Sequence, residues 1–229
     1  MTAKLQFLLR APASRPLDDF DAFVQQEVAP AVLGLNPARL KLTLTGKEPP
    51  RLSIVPYRRD RLALISIWDE NPPEQAAARF RDCLVQAGAA AAYRVSESLP
   101  RAYGRDWPDG ADTPGLGMLT LFRRKAGLSG EEFLRRWHQG HTPLALTVHP
   151  LWNYVRNVVE EPALQGSPPL DAIVEEQFRS AGELLNPIRL FGGPLWMVPN
   201  MIRIGLDVKG FIELGTLENY LVRERWIRS

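Results

Sequence analysis

The sequence predicts an α+β fold made of two similar halves. In the first half, segments with strand-like and helix-like hydrophobic periodicity follow one another as strand, helix, strand, strand, helix, strand. The second half opens with the same strand and helix. At an offset of 113 residues, Arg10 aligns with Arg123 and Pro30 with Pro143, which indicates one structural plan used twice.

Six elements are predicted in the first half: strands at 4–10, 39–45, 61–69 and 91–99, and helices at 18–32 and 73–87. The second helix has clear boundary signals. Pro73 takes its first position, Glu74 lies in its first turn and Gly88 follows its last turn.

The second half begins with a predicted strand at 118–124 and a helix that Ser129 caps. Trp137 and His141 lie four residues apart on that helix, so they belong to one inward-facing stripe. Thr142 precedes Pro143, a position that disfavours helical geometry. We therefore expect the helix to end at His141, with the imidazole facing a cavity.

Strands are also predicted at 151–159, 171–178 and 217–227, and a helix at 181–190. In the first of these strands, alternation places Asn157 and Tyr154 on opposite faces. The apolar segment 191–206 contains Gly192, Gly193 and Pro199, which exclude one continuous helix. It is either a pocket wall or lid, or an interface segment.

Three segments, FRRKAGLSGEEFLRRWHQGHTPLA, YVRNVV and DAIVEEQF, resemble the EthD group of dimeric α/β-barrel proteins. The resemblance extends over about residues 115–226. It implies a ferredoxin-like βαββαβ unit, two of which pair their sheets into a barrel around a pocket, with helices outside. The matching positions are Arg123, Gly127, Ser129, Phe133, Trp137, His141, Pro143, Leu144, Asn157, Asp171, Glu175 and Phe178.

The first half lacks the polar residues of this pattern except Arg10, and Val28 replaces His141. We infer a fused pseudo-dimer, an intramolecular barrel with one polar pocket. The predicted organisation is a degenerate repeat at 1–103, a linker at 104–116 and the repeat carrying the site at 117–229.

Three residues are candidates for catalysis. His141 has an ordinary pKa near neutrality, which suits proton transfer to or from a carbon acid or a phenol. Asp171 and Glu175 share one strand face, and either carboxylate is placed to orient the imidazole or to act as an acid. The structural alternatives are a packed histidine, a turn aspartate and a Glu175–Arg123 ion pair.

Five residues are candidates for substrate binding. Arg123 would hold a carboxylate or enolate, and Asn157 would donate to an oxyanion. Tyr154 would reach the same cavity only through a strand bulge. Trp137 and, by the resemblance, Phe178 complete the set.

No cofactor or metal is predicted. His138 and His141 have H-x-x-H spacing, and His149 could complete a ligand set, but a helix turns His138 away from the His141 face. P-loop, GxGxxG, GxSxG and CxxC motifs are absent from the sequence.

Three functions remain open. The first is an EthD-type enzyme that uses the histidine as acid or base on an apolar enolisable or phenolic substrate, as a lyase, cyclase or dehydratase. The second is a cofactor-independent oxidoreductase, or an accessory protein of an oxygenase or degradation pathway. The third is a non-catalytic barrel that binds an apolar ligand.

The composition is that of a globular protein: 229 residues, 45% hydrophobic and 24% charged, with a net charge of +2. Basic residues are dispersed, so no nucleic-acid partner is predicted. One cysteine and the absence of a signal-like start or a long apolar run favour the cytoplasm, without a membrane partner. The expected partner is a small apolar or aromatic ligand, and the chain is expected to be a monomer or a homodimer.

Overall fold

Eight strands close into an antiparallel barrel in the computed structural model, which describes residues 2–229. The order around the barrel is β1-β3-β2-β8-β5-β7-β6-β4, and β4 pairs back with β1. The strands are β1 Ala3–Ala11, β2 Arg39–Thr45, β3 Arg61–Asp69, β4 Ala89–Arg101, β5 Leu116–Phe122, β6 Asn153–Pro162, β7 Ala172–Phe178 and β8 Glu218–Arg228.

Each half of the chain contributes four neighbouring strands in the same order, β4-β1-β3-β2 and β8-β5-β7-β6. The halves join where β2 pairs with β8 and β4 with β6. This arrangement, with the helices outside, confirms the predicted fold class. The division at 104–116 stays a prediction; in that segment the backbone N–H groups of Gly110 and Thr113 donate to carbonyls of β8.

The helices pack on the outer face of the barrel, with the first half covered by α1 to α3 and the second by α4 to α8. They are α1 Leu17–Phe23, α2 Ala29–Gly34, α3 Pro73–Gln86, α4 Gly130–Arg135, α5 Thr142–Val148, α6 Ala181–Leu185, α7 Pro187–Leu190 and α8 Met197–Phe211. A π-helical turn, Val24–Val28, joins α1 to α2, and a second, Arg136–His141, joins α4 to α5.

The predicted helix end at His141 is wrong. Thr142 has helical angles, φ −58° and ψ −50°, and the helix continues into α5. Pro143 lacks an N–H donor, and its ring crowds the preceding turn. The wider π-helical turn before it accommodates both the missing hydrogen bond and the bulk of the ring. Pro30 follows the π-helical turn of the first half in the same way.

The predicted helix at 181–190 is also wrong in detail. It is divided into α6 and α7 at Asn186, whose side chain accepts from the backbone N–H of Ile188. The long helix that precedes β8 is α8, which begins inside the segment expected to be irregular. Pro199 fits there because the first turn of a helix needs no N–H donors, and Gly192 and Gly193 form the preceding turn with positive φ.

The centre of the barrel is filled by side chains, so the expectation that the site pocket lies inside the barrel is wrong. Leu8, Leu64, Leu121, Ile173 and Tyr220 belong to a buried cluster of inward-facing residues. Buried polar residues, described below, share the same interior. In the first half, the space between helices and sheet is an apolar core that contains the His141 equivalent, Val28.

Gly115, just before β5, lies directly against the end of β7. It has φ +94°, and an added Cβ would collide with the carbonyl oxygen of Phe178. Gly127 also has positive φ, +84°, but open space around it. We expect Gly115→Ala to lower the free energy of unfolding by about 1–3 kcal/mol more than Gly127→Ala, because only the former adds a steric clash to the backbone strain. Urea denaturation measures both, and equal losses would contradict the expectation.

Candidate functional site

A cavity of about 320 Å³ lies between the sheet and the helices of the second half. Its floor consists of side chains from the outer face of the barrel, which include Met118, Phe122, Tyr154, Val174, Glu176 and Phe178. Helical residues cover it, among them Trp137, His141, Ile204, Val208 and Phe211. The lining is mostly apolar, with a few ionisable groups set into it.

The first half of the chain supplies one wall of this cavity. Ile54, Val55 and Pro56, from the connection between β2 and β3, line it together with the second-half residues. The connection is held in place by a backbone bridge between Tyr57 and Asn219 of β8. The site is therefore built from both halves, a contribution that the sequence did not predict.

His141 is held by a carboxylate from α8. Its Nδ1 lies 2.7 Å from Oδ2 of Asp207. An ionised carboxylate can only accept a hydrogen bond, so Nδ1 carries the proton and donates it to Asp207. In the tautomer that this contact favours, Nε2 is the nitrogen with the free lone pair. The π-helical turn places this ring on the cavity wall, against the Phe211 ring at 5.2 Å.

Glu176 is the second ionisable group on the cavity wall. It lies on the floor between Val174 and Phe178, and its side chain forms no ion pair within residues 2–229. Burial in this apolar setting raises the pKa of Glu176 to about 7. At neutral pH the carboxyl group is therefore poised to donate or to accept a proton.

Glu175, the neighbouring residue, faces the barrel interior instead. Its Oε2 lies 2.8 Å from Nζ of Lys41 and accepts a hydrogen bond from Thr43 at 2.9 Å. Burial alone would raise its pKa, but the charges of Lys41 and Lys4 lower the pKa of Glu175 to about 2. It stays ionised and does not contact His141, so the predicted pairing of these two residues is wrong.

Asn157 shares the barrel interior with Glu175. Its Oδ1 accepts from Nζ of Lys4 at 2.7 Å, and its amide donates to the carbonyl of Ile173 at 3.0 Å. Asn157 and Tyr154 do lie on opposite faces of β6, as predicted. The cavity is on the Tyr154 side, so Tyr154 reaches it without a bulge and Asn157 does not reach it.

Asp171 and Arg123 also lie outside the cavity. Oδ2 of Asp171 accepts from the backbone N–H of Arg124 at 3.0 Å, the contact of a turn residue. Arg123 is exposed in a separate cleft at one end of the barrel, and it does not pair with Glu175. Of the predicted site residues, the structure brings together His141, Trp137, Tyr154 and Phe178.

The two remaining histidines differ in position. His149 lines the cavity, and its Nδ1 donates to the carbonyl of Leu190 at 2.9 Å. Burial lowers the pKa of His149 to about 4, so the ring is neutral at pH 7. His138 points away from the cavity, as predicted. Across residues 2–229, no three histidine, cysteine or acidic side chains are grouped as a metal site.

Stability should depend on pH through Glu176. Its pKa rises from an ordinary 4.5 in the unfolded chain to about 7 in the fold. Folding therefore favours the protonated form, and this contribution is lost as pH rises from about 4.5 to 7. Wild type should lose about 3 kcal/mol relative to Glu176→Gln across that range, as measured by urea denaturation.

Glu175→Gln provides the matched control for this measurement. The pKa of Glu175 is lowered to about 2, so its stabilising effect is constant above pH 5 and is lost only as pH falls toward 2. The difference between wild type and Glu175→Gln should therefore be flat from pH 5 to 8. A flat difference for Glu176→Gln as well would show that Glu176 ionises normally.

Comparison with known proteins finds one family match and shared folds. The EthD domain family matches residues 125–187, a shorter range than the predicted 115–226. Curated proteins give no significant match to the sequence. In the part of the chain that the structure describes, no helix is long and apolar enough to span a membrane.

Two solved structures share the architecture over nearly the whole chain. An anthrone oxidase-like protein superposes with a TM-score of 0.63 at 11% identity, covering 99% of this chain and 93% of its own. A candidate monooxygenase from Fusobacterium nucleatum subsp. nucleatum gives a TM-score of 0.50 at 8% identity, covering 99% and 92%. At such identities the likeness concerns the fold. Residues 125–187 therefore match the EthD domain family, and the whole chain shares its fold with these two proteins.

Proposed function

We propose that the protein is a small-molecule enzyme that transfers a proton at an enolisable carbon or a phenolic oxygen of an apolar, ring-containing substrate. The observation that carries this proposal is the presence of the His141–Asp207 pair and the buried carboxyl of Glu176 in one apolar cavity. Two titratable groups with different environments are the usual basis of an acid and base pair.

The environments of the two groups suggest a division of roles. His141 acts as the base through Nε2, and Asp207 stabilises the imidazolium that forms. Glu176, which is about half protonated at pH 7 and largely protonated below it, donates a hydrogen bond to the oxygen on which negative charge develops. Trp137, Tyr154 and Phe178 provide flat apolar surface for a ring system and exclude water.

An oxidation without cofactor is a second candidate, supported by the name of the anthrone oxidase-like structural neighbour. An anthrone is an enolisable aryl ketone, and the electron-rich enolate formed by the same proton transfer is the species that dioxygen would oxidise. Two observations together would identify this reaction: the product forms only in air, and proton exchange continues without air. An accessory or binding role predicts ligand binding without exchange.

Deuterium exchange tests the proposed proton transfer without knowledge of the final product. The protein is incubated anaerobically in deuterated buffer with a panel of polycyclic aryl ketones and phenols, and carbon-bound deuterium is measured by mass spectrometry. We expect exchange above the uncatalysed rate for at least one ring system. Binding of an enolisable ketone of the panel without any enhanced exchange would reject proton transfer at carbon and favour the binding role.

Two substitutions of Glu176 distinguish its possible roles. Glu176→Gln keeps a hydrogen-bond donor, whereas Glu176→Leu removes it. We expect the glutamine variant to retain more exchange activity than the leucine variant, by about tenfold or more, because a donor at the oxyanion contributes about 10²-fold or more in related sites. Equal loss in both variants would instead assign Glu176 as the base.

A further inference from the structure

Helix α8 is apolar on both of its faces. Met201, Ile204 and Val208 point inward and line the cavity. On the outer face, Val198, Ile202 and Leu206 recur every four residues and are more than half exposed, at 55%, 58% and 67%. The turn before the helix adds two large exposed side chains, Leu195 at 85% and Trp196 at 61%. We call these five outer residues the α8 patch.

A second exposed apolar segment lies beside the same cavity. In the connection between β2 and β3, Leu52 is 93% exposed, and Ile54 is both exposed and part of the cavity wall. Helix α8 and this connection thus both border the cavity, and each carries exposed apolar side chains. Clusters of exposed apolar side chains mark contact with a partner or a membrane.

Three basic residues on these two segments lack an acidic partner in the part of the chain that the structure describes. Within residues 2–229, Arg51, Arg203 and Lys209 form no ion pair. Lys209 lies three residues beyond Leu206, on the same side of the helix as the patch. Asp207, the single acidic residue of α8, is turned inward to His141. The outer face thus combines exposed apolar side chains with unpaired cations.

We propose that the α8 patch and the tip of the β2–β3 connection bind the surface of an anionic lipid bilayer. The apolar side chains enter the interfacial region, and Arg51, Arg203 and Lys209 contact lipid phosphates. Contact with a second copy of the chain fits less well, because a two-fold pairing of this face would bring its cations together. The cavity then lies beside the bilayer, from which an apolar ligand can enter.

Vesicle sedimentation tests the proposal with the full chain. Wild type should bind vesicles of phosphatidylcholine with one-third phosphatidylglycerol at least tenfold more tightly than vesicles of phosphatidylcholine alone, and salt should weaken this binding. Leu195→Ser/Trp196→Ser should lower the partition coefficient at least tenfold. Val85→Ser/Leu99→Ser, which changes exposed apolar residues on α3 and β4, should leave it unchanged.

The charge variant Arg203→Gln/Lys209→Gln isolates the electrostatic part. It should weaken binding to anionic vesicles by about tenfold or more and leave binding to neutral vesicles unchanged. Quenching of Trp196 by lipids brominated on the acyl chain, with Trp196→Phe as the reference, checks wild type directly. Wild type that does not bind anionic vesicles would overturn the proposal. So would a stable dimer that Leu195→Ser/Trp196→Ser converts to a monomer, since the patch would then belong to a second copy.

Discussion

Lys41→Met is expected to lower the free energy of unfolding by about 3–5 kcal/mol, because it removes the cation shared by two buried carboxylates and leaves Glu175 only the more distant Lys4, 3.9 Å away. The Lys41 side chain is 2% exposed, and its Nζ lies 2.8 Å from Glu175 and 3.1 Å from Glu224. Burial opposes its charge, but the two carboxylates outweigh this and raise the pKa of Lys41. The lysine therefore stays protonated within the barrel, and methionine replaces its volume but not its charge.

Urea denaturation at pH 7 measures this effect, with Arg39→Met as the matched control. Arg39 lies two residues earlier on β2, is exposed, and rests against the rings of Trp68 and Trp226. A cation–π contact of an exposed side chain contributes about 0.5–1 kcal/mol, so the control should lose little. If Lys41→Met lost no more than Arg39→Met, the barrel interior would be hydrated enough to solvate the carboxylates.

His141→Gln is expected to lower kcat/KM by about 10²–10⁴-fold for any substrate identified by exchange, because it removes the proposed base from the cavity. Asp207→Asn should lower it less, since the imidazole remains but loses the carboxylate that fixes its tautomer. Initial rates and binding constants, measured in parallel, separate chemistry from affinity. Binding should be retained in both variants.

The matched control is His138→Gln, on the same π-helical turn but away from the cavity. It should retain wild-type kcat/KM. Activity that survives in His141→Gln, with unchanged binding, would assign the reaction to another group. Equal losses in the two histidine variants would point to damage to the helix rather than to a role in proton transfer.

The sequence predicted most of the fold because strand and helix periods are local signals. The predicted strands 39–45 and 61–69 match β2 and β3, and Ser129 caps α4 by accepting from the backbone N–H of Glu132. The rule that failed is also local: a residue before proline tends to leave the helix. Pro143 did not end the helix, because a π-helical turn can absorb the missing donor, and no residue pattern announces that turn.

The site was less predictable, because the choice of site residues depends on which face of the sheet borders the cavity. Both faces of β7 are buried, so alternation places Glu175 and Glu176 on opposite faces but does not tell which of them faces the cavity. The sequence did contain one sign of the role of Glu176: on its strand face, this acidic residue lies between the apolar residues Val174 and Phe178. Asp207 lies 66 residues from its histidine and in an irregularly predicted segment, so only the three-dimensional packing identifies it.

Closure of the barrel has a consequence for how the protein is made. The strand pairs that join the halves, β2 with β8 and β4 with β6, connect residues far apart in sequence. The first four strands therefore leave the ribosome with two unpaired edges, each able to pair with another chain, until the second half is synthesised. The edge of β4 is covered once β6 has been synthesised. The edge of β2 stays exposed for longest, because its partner β8 is the last strand of the chain.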